Sequence, residues 1–222
     1  MNHLLLKILS WSEVWSLLIP IIVLLKHRNQ PSYLKPIQIY VWVAFVLNIA
    51  ADIIADFKYK WHLPTVLHSN TVIYNIHSVL RFSCFCAFFI ALKQPFFTRL
   101  KKLLPIFSLL FIVINFTFFE YFFNPNQLSG TLLTVEAYLL LIFCIFYYLY
   151  LLKTEKKSPK REKHFWVVTG LSIYVVINFF IFLFYDSMIH SDPLLARDMW
   201  RVHNIAYIVL SFFLAKAFYA AT

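Results

Sequence analysis

The sequence predicts an all-α polytopic integral membrane protein of seven transmembrane helices, with its N-terminus outside and its C-terminus in the cytoplasm. Three observations carry this. Hydrophobic residues make up 61% of the 222-residue chain and charged residues only 14%, far from the balance of a soluble globular domain. Apolar residues gather into seven runs of about 20, the length that a hydrocarbon core of about 30 Å requires. Lysine and arginine concentrate in alternate connections between those runs, which sets the orientation.

The elements follow in order as one domain, 1–222. The first run, 4–25, ends in "WSLLIPIIVLL". Ser12 and Glu13 interrupt it and no small-residue cleavage site follows, so it reads as a retained helix rather than a signal peptide. The second, 36–57, contains "NIAADIIADF", in which Asn48, Asp52 and Asp56 recur at every fourth position and share one helical stripe. The third, 70–92, carries Asn70, Tyr74, His77 and Arg81 on another stripe. The fourth is 103–123, and the fifth, 130–152, holds Glu136. The sixth, 164–185, holds Asn178, and the seventh, 199–220, opens with Arg201, His203 and Asn204. Cys84, Cys86 and Cys144 sit in apolar runs and read as small buried hydrophobes, with no disulfide framework.

Of the twenty Lys and Arg residues, thirteen fall in the first, third and fifth connections. The second, fourth and sixth hold only Lys58, Lys60 and Arg197. The positive-inside rule therefore puts the odd connections in the cytoplasm. The net charge of +10 is topology plus attraction to anionic lipid headgroups. Nucleic acid is excluded as a partner, because the basic clusters are separate short loops without a nucleic-acid module.

With that orientation, depth follows from a helical rise of about 1.5 Å per residue. Asn48 and Asp52 lie roughly 18 and 24 Å above the cytoplasmic edge, and His77 about 10 Å below the outer surface. Glu13, Tyr74, Glu136, Asn178, His203 and Asn204 share the outer half, and Arg81 lies near the midplane. The inner half is plain, as in "FCIFYYLYLL" and "FCAFFIAL". Ionisable groups in lipid are costly and collect where they have a partner, water or a ligand. The expectation is an outward-opening polar cavity. Asp52 faces into it with Arg81 or Arg201 as counter-charge, and Asp52, His77 and Glu136 share its lining. Asp56, Lys58, Lys60, Arg197 and Asp198 read as reaching the headgroups, and Trp11, Trp15, Trp61 and Trp200 as interface anchors.

The candidate ligand-binding residues are thus Glu13, Asn48, Asp52, Tyr74, His77, Arg81, Glu136, Asn178, His203 and Asn204. His77 is a group whose charge can change near neutral pH. The leading function is a membrane sensor or signalling accessory that binds a small polar or amphipathic ligand from the outer side. The alternative is a membrane-embedded hydrolase or lipid-modifying enzyme built on the same residues, with zinc as its candidate metal. His77, His203, Asp52, Glu13 and Glu136 are suitable ligand types. No H-E-x-x-H and no histidine pair one turn apart accompanies them. Retinal is disfavoured: Lys216, in "FFLAKAFYA", lies about 22 Å beyond Arg201 by helix rise, away from every carboxylate of the cluster. Transport is disfavoured by the scarcity of glycine and proline breaks within the spans.

The stretches "FWVVTGLSIYVVINFFIF" (165–182), "WRVHNIAYIVLSFFLAKAF" (200–218) and, more loosely, "YNIHSVLRF" (74–82) resemble a family of small seven-helix bacterial proteins often encoded near two-component signalling genes. The resemblance covers about a quarter of the chain. It implies an integral protein of the bacterial inner membrane, a sensor or signalling accessory, and transfers no catalytic residue. No kinase or cyclase module precedes Thr222, so a signal is expected to leave through a protein partner at the third and fifth connections.

Overall fold

The structure, a computed structural model, describes residues 3–57, 69–94, 97–123, 128–154 and 162–220. Lys58, Lys60 and Trp61, and Lys156, Lys157, Lys160 and Arg161 of the fifth connection, lie outside the described residues. Every regular element described is helical: α1 His3–Ser10, α2 Ser12–Lys26, α3 Lys35–Phe57, α4 Thr71–Ala91, α5 Thr98–Ile114, α6 Gly130–Lys153, α7 Lys163–Ser191 and α8 Pro193–Tyr219. A 3₁₀ turn, Ser32–Leu34, precedes α3, and a π-helical turn, Asn115–Phe119, extends α5. Helix is the structure expected of such apolar runs, because in lipid a chain must satisfy its own backbone N–H and C=O groups.

Among the described residues, six helices are long and apolar enough to cross a bilayer: α3 with its preceding turn, α4, α5 with its π turn, α6, α7 and α8. The protein is therefore an all-helical polytopic membrane protein. The N-terminal run departs from the single helix expected. It breaks at Trp11, leaving 8 residues in α1 and 15 in α2. By helix rise α2 alone spans about 22 Å, short of the hydrocarbon core. Trp15 Nε1 donates to the Ile8 carbonyl at 2.9 Å and pins the break.

Local chemistry explains several boundaries. Asp192 ends α7 and begins α8: its carboxylate accepts from the backbone N–H groups of Leu194 and Leu195, both at 3.1 Å, and Pro193 occupies the first helical position. The α7–α8 connection is thus one residue, and α8 starts six residues earlier than the apolar run does. Arg197 and Asp198, expected in a loop, are in α8, and Asp186 is in α7. Ser129 caps α6 by accepting from Leu132 N at 3.1 Å.

The helices close into a ring, α2–α3–α4–α6–α7–α8 and back to α2, with α5 outside it against α4 and α6. α1 lies across one end against α8 and α2. α7 and α8 approach closely at Gly170, where a Cβ would fall 2.4 Å from Phe213 Cβ. Inside the ring the two halves differ. Around Leu34, Ile37, Phe85, Phe88, Phe89, Phe143, Tyr147, Val167, Leu214 and Phe218 the core is apolar and aromatic. That half adjoins the end where Lys26, Lys35, Lys93, Lys101, Lys153 and Lys163 lie. The other half carries the polar side chains. On the outside, Ile39, Val46, Ile106, Leu109, Val113, Phe180 and Phe184 are exposed, as a lipid-facing surface demands.

Candidate functional site

Arg81 on α4 and Glu136 on α6 form a deeply buried ion pair. Arg81 Nε donates to Glu136 Oε1 at 2.5 Å and Nη2 to Oε2 at 2.7 Å, a bidentate fork. Arg81 Nη1 donates to the Tyr174 hydroxyl of α7 at 2.6 Å, and the Ser78 hydroxyl donates to Glu136 Oε2 at 2.5 Å. Arginine, carboxylate, tyrosine and serine thus satisfy one another in an environment 4% exposed at both charges. The expected counter-charge of Asp52 is Arg81 or Arg201. Neither holds. Arg81 is taken by Glu136, because the ring brings α6, not the stripe of α3, against that face of α4. Arg201 pairs with Asp198 on its own helix, on the surface.

A second pair lies one layer toward the other end. His203 Nε2 on α8 is 3.2 Å from Glu13 Oε1 on α2, both buried. Nδ1 of the same ring is 2.5 Å from Asn178 Oδ1 on α7. Asn178 Nδ2 donates to the Tyr174 carbonyl at 2.8 Å, which orients its amide and presents Oδ1 to the histidine. Because Asn178 Oδ1 can only accept, Nδ1 is the donor of that contact and Nε2 is the nitrogen turned to the Glu13 carboxyl. Asn48 Nδ2 donates to the Glu13 carbonyl at 3.1 Å and to the Tyr207 hydroxyl at 3.3 Å, so α2, α3 and α8 meet at this point. Tyr40 donates to Tyr207 at 3.2 Å beneath it.

His77 is 3% exposed, stacked on Tyr40 with ring centroids 6.0 Å apart. Its Nε2 has no hydrogen-bond partner among the described residues. With Glu13, Tyr74, Arg81, Trp200 and His203 it lines a small internal cavity of about 10 Å³, the room of a single water. Beyond that cavity lies a vestibule of about 540 Å³. It is walled by Leu6 and Ser10 of α1, Asn70, Thr71 and Tyr74 at the start of α4, Tyr185 and Ile189 at the end of α7, and Ala196, Arg197, Trp200, Arg201 and Asn204 of α8. Tyr74 and Trp200 belong to both cavities and meet edge to face, with centroids 5.5 Å apart. Trp200 also lies 4.8 Å, centroid to centroid, from His203. This aromatic pair is the partition between vestibule and polar core. Trp200, expected at the lipid interface, is instead its wall. Asn204 Nδ2 donates to the Leu9 carbonyl at 3.0 Å and holds α1 over the vestibule, while its Oδ1 has no partner among the described residues.

Of the ten candidate residues, Glu13, Tyr74, His77, Arg81 and His203 line the inner cavity, and Tyr74 and Asn204 line the vestibule. Asn48, Asn178 and Glu136 brace these groups from behind. Asp52 does not join them. It is half-buried, beside Glu13 and Asp56, with Oδ2 unpartnered among the described residues, and it lines neither cavity. Among the described residues, Asp52, His77 and Glu136 do not line one cavity: His77 lines the inner one, Glu136 is sealed by Arg81, and Asp52 lies beside Glu13 without lining either cavity. Tyr174, Ser78, Tyr207 and Trp200 escaped the sequence reading. Each is an ordinary core or interface residue type, and only the arrangement of helices reveals its partner. Among the described residues no three His, Cys, Asp or Glu side chains converge as a metal site. Comparison with protein-family models, curated proteins and solved structures returns no match.

Proposed function

We propose that this chain is a membrane-embedded sensor whose vestibule takes a small amphipathic ligand from the outer side of a bacterial inner membrane. The observation that carries the reading is the shared wall. Tyr74 and Trp200 face the vestibule on one side and the buried Glu13–His203 pair on the other. A ligand seated in the vestibule presses on the aromatic partition and so alters the packing around a histidine–carboxylate pair that links α2, α7 and α8. The volume of about 540 Å³ suits a small ligand. Aromatic rings offer apolar contact, and Arg197, Arg201, Asn70 and Asn204 offer charge and hydrogen bonds for a polar, preferably anionic, end.

Orientation supports the same reading. The vestibule lies at the start of α4 and the end of α7, opposite the lysine-rich end, so the positive-inside rule turns it outward. The bent pair α1–α2, running from His3 to Lys26, serves as the seventh span. The basic cytoplasmic connections are then the face from which a signalling partner reads the state of the bundle.

The test is a thermal-melt screen of purified protein against small amphipathic carboxylates and amines, repeated with Ser10→Trp, which fills the vestibule from its exposed rim, and with Arg201→Gln. Carboxylates raise the Tm of the wild type, Ser10→Trp abolishes the shift, and Arg201→Gln reduces it. No shift with any compound, or a shift that survives Ser10→Trp, removes the vestibule as the binding site.

A further inference from the structure

The basic end holds a second feature, independent of the vestibule. α4 and α5 run side by side without closing against each other. On α4 the residues facing the seam are Val79, Phe82, Ser83, Cys86 and Ile90, followed just past its end by Lys93 and Gln94. On α5 they are Ile112, Leu109, Ser108 and Pro105, then Lys102, Lys101 and Thr98. Both stripes advance by three or four residues, the repeat of one helix face. Two cavities open along this seam and share Ile90: an apolar one of about 270 Å³ and, at the basic end, one of about 330 Å³.

The basic cavity is electrostatically one-sided. Lys93, Lys101 and Lys102 line it, and among the described residues none of them is paired with a carboxylate. Lys101 is 3% exposed, and its Nζ donates to the neutral amide oxygen of Gln94 at 3.1 Å. With an amide and no carboxylate as its partner among the described residues, this buried ammonium lacks the counter-charge that burial calls for. Three lysines around one cavity make a site for a phosphate oxygen rather than for a cation. The adjoining apolar slot rules in an anion with a hydrocarbon tail.

We infer that the α4–α5 seam binds one anionic phospholipid, with the phosphate on Lys101, Lys102 and Lys93 and an acyl chain laid along the slot past Ile90, Cys86 and Pro105. A neutral phospholipid fits the slot but leaves the extra positive charge uncompensated. An isolated phosphate matches the charge but leaves the slot without its tail. The loosely held α5 is thereby fastened to the ring by a lipid rather than by side-chain packing alone.

Native mass spectrometry of the protein released from nanodiscs of equal phosphatidylglycerol and phosphatidylcholine tests this. The wild type retains one phosphatidylglycerol in preference to phosphatidylcholine. Each lysine removed, in Lys101→Gln and in Lys93→Gln with Lys102→Gln, lowers that preference by about fivefold, the equivalent of about 1 kcal/mol per cation near a charged lipid surface. Lys93 and Lys102 are solvent-exposed, so the second variant keeps the test usable if Lys101→Gln misfolds. Ala87→Trp, on the exposed rim of the slot, lowers retention of both lipids while leaving the lysines in place. Equal retention of the two lipids by the wild type, or an unchanged preference in the lysine variants, overturns the site. So does displacement by inorganic phosphate with Ala87→Trp having no effect, which marks a simple anion site.

Discussion

Arg81 and Asp52 illustrate how differently two charges in one membrane bundle can be situated. Arg81 is closed in by Glu136, Tyr174 and Ser78. Removing its carboxylate leaves a buried cation with one neutral partner, so Glu136→Gln is expected to cost about 3–5 kcal/mol. Arg81→Met costs a similar amount, by stranding Glu136. The double variant recovers much of the loss, since neither charge then remains unpaired. Asp52 is half-buried, with no recorded partner for Oδ2 and with Glu13 and Asp56 as neighbours. Asp52→Asn removes a charge that no cation among the described residues is seen to pair with, and the expected outcome is an unchanged or higher Tm. Thermal melts of the purified variants decide both points. Additive losses in the Arg81/Glu136 cycle, or a large drop for Asp52→Asn, contradict the assignments.

At the scale of the helix, packing is uneven around the ring. α7 and α8 are joined by one residue and approach so closely at Gly170 that no side chain fits between them. Gly170→Ala pushes a methyl group onto Phe213 Cβ, an atom too near the backbone to swing aside. The loss expected is about 1–3 kcal/mol, the usual range for overpacking, despite alanine's better helix propensity. A Tm equal to or above that of the wild type shows that the two helices can part without penalty. α5 is the opposite case. It stands outside the ring, with Ile106, Phe107, Leu109, Leu110 and Val113 all exposed, and it holds to α4 across an open seam. The break at Trp11 is a third local feature with a tertiary use: it lets α1 fold over the bundle end, where Leu9 accepts from Asn204.

Across the whole molecule, two kinds of core divide the bundle along its length. The half near the lysines is filled with aromatic and aliphatic side chains, and the other half holds the buried ion pairs and both polar cavities. Orientation then decides which side of the membrane the vestibule serves. With Cys84, Cys86 and Cys144 replaced by alanine, Lys157→Cys is expected to resist impermeant thiol reagents in intact cells and Gln127→Cys to react. The reverse pattern turns the vestibule to the cytoplasm and the α4–α5 lipid site to the outer leaflet.

The sequence by itself determined the features that depend on local pattern. Composition and the length of apolar runs established a helical membrane protein, and the runs at 36–57 and 130–152 match α3 and α6 to within a residue. Spacings of three and four residues placed Tyr74, His77 and Arg81 on one face, and that face lines the inner cavity. Only the tertiary structure decided which face met which. Hydropathy carries little about the order of helices around a ring or the rotation of each on its axis. Asp52 and Glu136 are both carboxylates within reach of Arg81 by the sequence reading, and the choice between them rests on α6 bringing Glu136 against Arg81 of α4. The same limit hid the roles of Tyr174 and Trp200. A tyrosine or tryptophan in an apolar run looks alike whether it meets lipid, core or a buried charge, and its function is assigned by the neighbour that folding brings to it.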